Sequence, residues 1–188
     1  MFDSVYPVTK VSVSKGLPGE HHLRTTIYRF ESATKERYLI YVTEYPAKFH
    51  TIDFCRNAQK YSRKRFSELT GGHDAGRIIG TAVSLMNALL VSGLSDLVSF
   101  GFIGARMSKD EKGMISQRFR IYRSIMKFMI SPVEFNHFED LVNDAYLILN
   151  RKANASEVFA VARIVFDKEE EERRRGIITC KYLRNSTQ

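Results

Sequence analysis

The chain is poor in the residues that crosslink or punctuate a fold. Of its 188 residues only two are cysteine, Cys55 and Cys180, and no Cys-x-x-Cys pair exists. Neither a zinc module nor a dithiol redox motif is therefore supported, and no metal site is expected. A disulfide is not needed at this length, and a reducing, cytoplasmic setting suits two isolated thiols. Glycine and proline number 11 and 4, too few for a collagen-like or low-complexity chain. No Pro/Gly/Ser-rich linker divides the sequence, and no internal repeat is visible. The N-terminus, Met1 to Val5, has no basic run leading into an apolar stretch, so no secretory leader is expected. The one nearly charge-free run, Ile78 to Leu94, only reaches the lower limit of a membrane span. It carries Ser84, Asn87, Ser92 and Gly93. A buried amphipathic helix accounts for it, and a membrane partner is not expected.

What is present is an ordinary globular balance, 44% hydrophobic and 27% charged, which excludes a wholly disordered chain. The length fits one domain, or one domain with a helical appendage. The net charge is +8, with a pI near 9.5. That excess favours an anionic partner: nucleic acid, an acidic surface or a phosphorylated small molecule.

The first third reads as strands. Val8–Ser14 alternates, Thr25–Ala33 is rich in β-branched and aromatic residues, Tyr38–Tyr45 alternates, and His50–Cys55 follows Pro46. Gly16, Pro18, Gly19 and Thr34–Glu36 supply turns, so an antiparallel meander of four strands is expected. Asp74 then stands as an N-cap for a helix from about Ala75 to Val91, closed by Gly93. Leu97–Ala105 reads as a buried strand and Gln117–Ile130 as a second helix, stopped by Pro132. Ala145–Arg151 reads as another strand. A long helix begins near Ser156, with Ser156 as its cap and Glu169, Glu170 and Glu171 set four residues before Arg173, Arg174 and Arg175. The fold class is α+β: a mostly antiparallel sheet flanked by helices, with a C-terminal helix.

The most informative run is Thr70-Gly71-Gly72-His73-Asp74-Ala75-Gly76-Arg77-Ile78-Ile79-Gly80-Thr81-Ala82. A glycine-rich turn entering a helix suits a diphosphate. The first-turn N–H groups lack intrahelical partners, the helix dipole is positive there, and glycine lets a ligand reach the backbone. It is neither a Walker loop, lacking the Gly-Lys-Ser/Thr ending, nor a dinucleotide fingerprint, lacking the G-x-G-x-x-G spacing. A plain turn before a capped helix is the competing reading.

Within that run, Arg77 to Ala82 reads R-x-x-G-x-A. This resembles the Q/R-x-x-G-x-G/A acyl-CoA cradle of the GNAT superfamily of N-acetyltransferases. The wider pattern is similar to a divergent group of that superfamily frequent in phages and mobile elements. The matching residues are Thr70, Gly71, Asp74, Ala75 and Arg77, then Phe100 to Ala105, then Arg118 and Tyr122, and the resemblance covers about Arg37 to Asn150. It implies a GNAT-like domain over residues 1–152 and a helical extension over 153–188. It implies acetyl-CoA as cofactor, held by Gly72, Asp74, Gly76, Arg77, Gly80, Thr81 and Arg118, and acyl transfer to an amine. Tyr122 matches the tyrosine that often protonates the departing thiolate, a role suited to a phenol that keeps its proton at neutral pH. Glu44 and Asp53 lie on strands where the superfamily often places a base. The departures are His73 in a glycine position and an R-x-x-G-x-A segment that falls inside the helix rather than in an open turn. Plain alternatives stand beside each assignment: a core aromatic for Tyr122, solvent-facing strand residues for Glu44 and Asp53, and solvated loop histidines for His50 and His73.

The positive charge is concentrated. Arg56, Lys60, Arg63, Lys64 and Arg65 fall between positions 56 and 66, which hold no acidic residue, ahead of the glycine-rich run. Arg106, Lys109, Lys112, Arg118, Arg120, Arg123 and Lys127 follow the next strand. Acetyl-CoA or another phosphorylated ligand would be drawn there, as would a nucleic acid through Arg63, Lys64 and Arg65. The rival to catalysis is a silent GNAT-fold binding module for nucleic acid or protein, in a bacterial or virion-associated setting. The C-terminal helix offers a surface for self-association or for packing on the domain.

Overall fold

The computed structural model describes residues 5–62, 74–92, 97–104 and 115–174, with the side chains of Gln117, Arg118 and 172–174 excepted. Among the described residues, seven strands and three α-helices run in the order β1 (Thr9–Lys15), β2 (Arg24–Glu31), β3 (Arg37–Glu44), β4 (Phe49–Arg56), α1 (Ala75–Ser92), β5 (Ser99–Ile103), α2 (Gln117–Met129), β6 (Phe135–Asp140), β7 (Ala145–Asn150) and α3 (Ala155–Arg174). The class is α+β. The strands form one sheet in the order β1-β2-β3-β4-β5-β7-β6. Every neighbouring pair is antiparallel except β4 and β5.

The four-strand meander follows from period-two alternation. Tyr38, Ile40 and Val42 of β3 face one side and join the main core, while Leu39 and Tyr41 face the other with Cys55. The connection from β4 to the parallel β5 needs a crossover, and α1 supplies it. Its Ile78, Ile79, Ala82, Val83, Met86 and Leu90 are buried in the main core with Phe30, Phe100 and Phe119. That packing accounts for the helix that is long and apolar enough, by composition alone, to cross a membrane. Helix α2 lies on the same side and contributes Phe119, Ile125 and Met126. Its N-cap is Ser116, whose hydroxyl accepts the Phe119 N–H at 3.2 Å.

Helix α3 covers the opposite side. Val158, Ala162 and Val165 pack with Tyr45, Phe49, Leu147 and Leu149, so the C-terminal helix builds the second half of the core. It starts at Ala155 rather than at Ser156, and its cap is Asn154. The Asn154 amide donates to Glu157 Oε1 at 2.8 Å and its Oδ1 accepts the Glu157 N–H at 3.5 Å, a reciprocal box that a serine further on cannot make. The expected closing Gly93 and the loop around residues 107–114 lie outside the described residues.

Strand β6 is absent from the sequence-based reading. Its segment, Phe-Asn-His-Phe-Glu-Asp, lacks the β-branched, apolar signature of a strand. It is an edge strand whose polar residues on the α2 side find partners far away in sequence. Glu139 is gripped by Arg123 at 2.7 Å and Lys127 at 2.6 Å from α2. His137 Nδ1 lies 2.9 Å from the Tyr146 hydroxyl on β7. Burial works to raise the Glu139 carboxyl, but the hydrogen bond from Lys127 and the charge of Arg123 outweigh it and hold the group below its ordinary 4.5.

A lowered carboxyl contributes stability above its ordinary value and loses it as pH falls through the lowered one. Glu139→Gln is therefore expected to cost about 1 kcal/mol at pH 7. The difference from the wild type should shrink as pH drops below 4.5 and vanish once both chains are protonated, as read from urea unfolding across pH.

Candidate functional site

The parallel pair is short. Phe49, His50 and Thr51 of β4 pair with Ser99, Phe100 and Gly101 of β5, and there the pairing ends. Beyond it β4 follows β3 as far as the Tyr38–Arg56 pair, and β5 follows β7 as far as the Ile103–Ala145 pair. The two strands therefore open into a fork whose apex is Thr51 and Gly101. Neither apex position is arbitrary. A Cβ on Gly101 would meet the rings of Phe49 at 2.6 Å and Phe166 at 2.7 Å, so glycine is what lets α3 close on the sheet there. Thr51 is 3% exposed.

Residues past the apex alternate between the two sides. Phe54 of β4 and Phe102 of β5 face the α1/α2 side, and Tyr122 of α2 stands against both, with ring centroids 6.1 and 5.5 Å away. Phe102 in turn stacks on Tyr146 at 5.4 Å. Burial, with a smaller push from the Glu139 charge, raises the Tyr146 phenol to about 12. Asp53 faces the opposite side, across from Tyr41. The fork thus brings two of the expected residues, Tyr122 and Asp53, to its two faces.

Glu44 lies elsewhere. It sits across β3 from His50, on the paired side of the apex, and is ion-paired with Arg24. His50 stacks on Phe100 at 5.2 Å, and its Nδ1 lies 3.0 Å from the Lys48 carbonyl. Burial pushes its imidazole below 6.5, only partly countered by that carbonyl and by Glu44. His50 is a packed strand residue rather than a loop histidine.

Residues 74–81, at the entry to α1, hold five of the expected cofactor residues, and Tyr6, in the segment before β1, engages three of them. Its hydroxyl donates to the Asp74 carboxylate and accepts the Ala33 N–H at 2.9 Å. Its backbone N–H donates to Thr81 Oγ1 at 3.0 Å, and that hydroxyl donates to the Arg77 carbonyl at 2.8 Å. The Arg77 guanidinium lies 3.9 Å over the Tyr6 ring, while the buried Arg77 Nε has no hydrogen-bond partner. Gly76 is in the first turn, ahead of or at the first intrahelical bonds, where Ile78 N–H reaches the Asp74 carbonyl at 3.0 Å. Gly80 is buried within the helix. Gly72, His73, Arg63, Lys64 and Arg65 lie outside the described residues. Arg118 is on the first turn of α2, its side chain likewise outside them.

The rim between β5 and α2 is pinned. Asp144, fully buried, accepts the Gly104 N–H at 2.7 Å through its carbonyl and the Ser116 N–H at 3.1 Å through its carboxylate. Tyr6, Thr51 and Asp144 were not singled out in the sequence. Tyr6 and Asp144 carry no local signal, whereas the alternation of His50–Cys55 already sets Thr51 and Asp53 on one face.

Tyr6→Phe removes the group that joins Asp74 to Ala33 and is expected to destabilise the chain by about 1–3 kcal/mol. Urea unfolding reads this directly, and an unchanged midpoint would show that the phenol carries no load.

No family model matches this chain, and neither a curated protein nor a solved structure does.

Proposed function

We propose that the chain is a GNAT-like acyltransferase that uses acetyl-CoA to acylate an amine. The observation that carries this reading is the fork: one short parallel pair within an otherwise antiparallel sheet, with a tyrosine on one side and a carboxylate on the other. The α1 entry adds support. The orphaned Arg77 Nε and the glycine in the first turn fit a phosphate group, because that Nε–H needs an acceptor and Gly76 leaves the backbone open. Acetyl-CoA would bring an acyl group activated as a thioester. Gly76 and Arg77 would hold its phosphates, with Gly72 and Arg118 alongside, whereas Gly80, buried past the first turn of the helix, has no open N–H to offer.

The chain's own residues then have distinct tasks. Asp53 receives a proton at its carboxylate from the incoming ammonium. Tyr122 holds a proton at its hydroxyl for the leaving sulfur, since a phenol keeps that proton at neutral pH. Phe54, Phe102 and Tyr146 form an aromatic wall that excludes water beside Tyr122. Glu44, tied to Arg24, helps hold the β2–β3 end of the sheet in this reading and is the weaker candidate base. A cytoplasmic setting goes with a buried, reduced Cys55.

A second reading, a silent binding module for nucleic acid or a protein partner, is favoured by one observation. Tyr6 already engages the side chains of Asp74, Arg77 and Thr81, which leaves less of them for a cofactor. Salt-dependent binding of single-stranded nucleic acid, weakened by neutralising Arg63, Lys64 and Arg65, would select it.

Acetyl-CoA at millimolar concentration is expected to raise the melting temperature through linkage, and Arg77→Glu to abolish the rise. No shift in the wild type would sink the cofactor. Once an acceptor amine is found, Tyr122→Phe should lower turnover by about 100-fold or more with acetyl-CoA binding retained. Unchanged turnover would leave Tyr122 as a packing residue.

A further inference from the structure

Burying a hydroxyl without a partner is destabilising, because the group gives up its hydrogen bonds to water and gains nothing in return. Thr51 carries such a hydroxyl. Its Oγ1 is shut off from solvent and has no hydrogen-bond partner. The same row of the sheet shows the ordinary solution. Thr25, Thr43 and Thr51 stand side by side on β2, β3 and β4, and the hydroxyls of Thr25 and Thr43 satisfy each other at 3.2 Å. Thr51 is the member of the row at the apex of the fork. Its neighbour across the apex, Gly101, offers no side chain, and the space there is taken by the apolar rings of Phe49 and Phe166. Valine would fill the same volume without an orphaned group, so packing alone does not account for threonine.

We propose that the Thr51 hydroxyl donates a hydrogen bond to the carbonyl oxygen of an acyl group held at the fork, and so positions and polarises that carbonyl. This rests on the acyltransferase reading above. The chemistry of the donor selects the ligand group. A hydroxyl is uncharged and offers one proton, which suits a neutral carbonyl; a phosphate or carboxylate in so apolar a setting would call for a cation. The placement agrees with the rest of the site. Thr51 and Asp53 are two residues apart on one strand and share the side of the sheet that α3 covers. The contact therefore lies on the side where the carboxylate receives its proton, with Tyr122 across the sheet.

Calorimetric titration of the full chain with acetyl-CoA and, separately, with free CoA tests this, using the wild type, Thr51→Val and Thr51→Ser. Free CoA lacks the carbonyl, so the two ligands separate this contact from every other. Thr51→Val is expected to weaken acetyl-CoA about three- to ten-fold and leave CoA unchanged, and Thr51→Ser to restore the difference. Without ligand, Thr51→Val should melt at the wild-type temperature or above it. Equal weakening of both ligands, or of neither, overturns the proposal. So does a lower melting temperature for ligand-free Thr51→Val, which would mean that a buried water or a protein group already satisfies the hydroxyl. A wild type that binds neither ligand overturns the acyltransferase reading and this proposal with it. A wild type that binds both, unaffected by Thr51→Val, overturns the proposal alone.

Discussion

The structure depends on the parallel contact between β4 and β5, paired at only three positions and held between two antiparallel blocks. Antiparallel pairs are closed by short turns and extend as far as their strands allow. A parallel pair has to wait for a crossover. Here the crossover is α1, and the pair it produces is pulled apart by stronger commitments on either side. Strand β4 stays registered with β3 along its whole length, and β5 stays with β7 to its end. The backbone groups of residues 52–56 that point toward β5 find no ladder partner in that strand. Backbone polar groups in such a position need another partner, be it side chain, water or ligand. Under the proposed function, those backbone groups are part of what the fork offers a ligand.

The side chains then divide the fork by face. The α1/α2 side is aromatic, with Phe54, Phe102, Tyr122 and Tyr146 in a continuous set of ring contacts. The α3 side holds Thr51 and Asp53, with the apolar ring of Phe166 over Gly101 at the apex. Alternation along β4 makes this division unavoidable: Phe54 cannot face α2 without Asp53 facing away. The helices are fixed independently of each other. Ser116 and Asp144 set the start of α2, and Tyr6 ties the start of α1 to the β2–β3 turn through Asp74 and Ala33. Tyr122 therefore approaches the fork from a helix whose first turn is bolted to the end of β5 and the β6–β7 turn.

Much of this was legible in the sequence, and the gaps have physical causes. The meander, α1, β5, α2, β7 and α3 follow from periodicity and turn residues, which act over a few positions. Strand β6 escaped because Phe135–Asp140 owes its strand state to partners on β7 and α2 rather than to its own composition. The cap of α3 was misplaced by two residues because Asn154 and Ser156 are both competent caps, and only the glutamate at position 157 favours the first. At the site, Asp53 and Tyr122 could be named as candidates, but not their placement on opposite sides of one fork, since that follows from where pairing stops. The engagement of Asp74, Arg77 and Thr81 by Tyr6 was invisible, because nothing around Tyr6 marks it as a partner for residues some seventy positions away.

Charge is where the sequence misleads most. The excess of +8 clusters in two segments, and a segment count treats every cation as available. The fold does not. Arg123 and Lys127, both in the second segment, converge on Glu139 and serve to join α2 to β6. In the first, Lys60 lies 4.8 Å over the ring of Tyr61, and Arg56 bonds the Tyr38 phenol. Arg24 answers Glu44 on the β2–β3 ladder. A cation that already faces a carboxylate contributes little field at a distance, since the pair is a dipole rather than a charge. The attraction for an anion is thereby weakened along the α2–β6 face and kept nearer the entry of α1, where the helix dipole and Arg77 act in the same direction. Under the proposed function, a phosphate would among the described residues be met at the entry of α1, and the fold favours that place by removing competitors rather than by adding a cation.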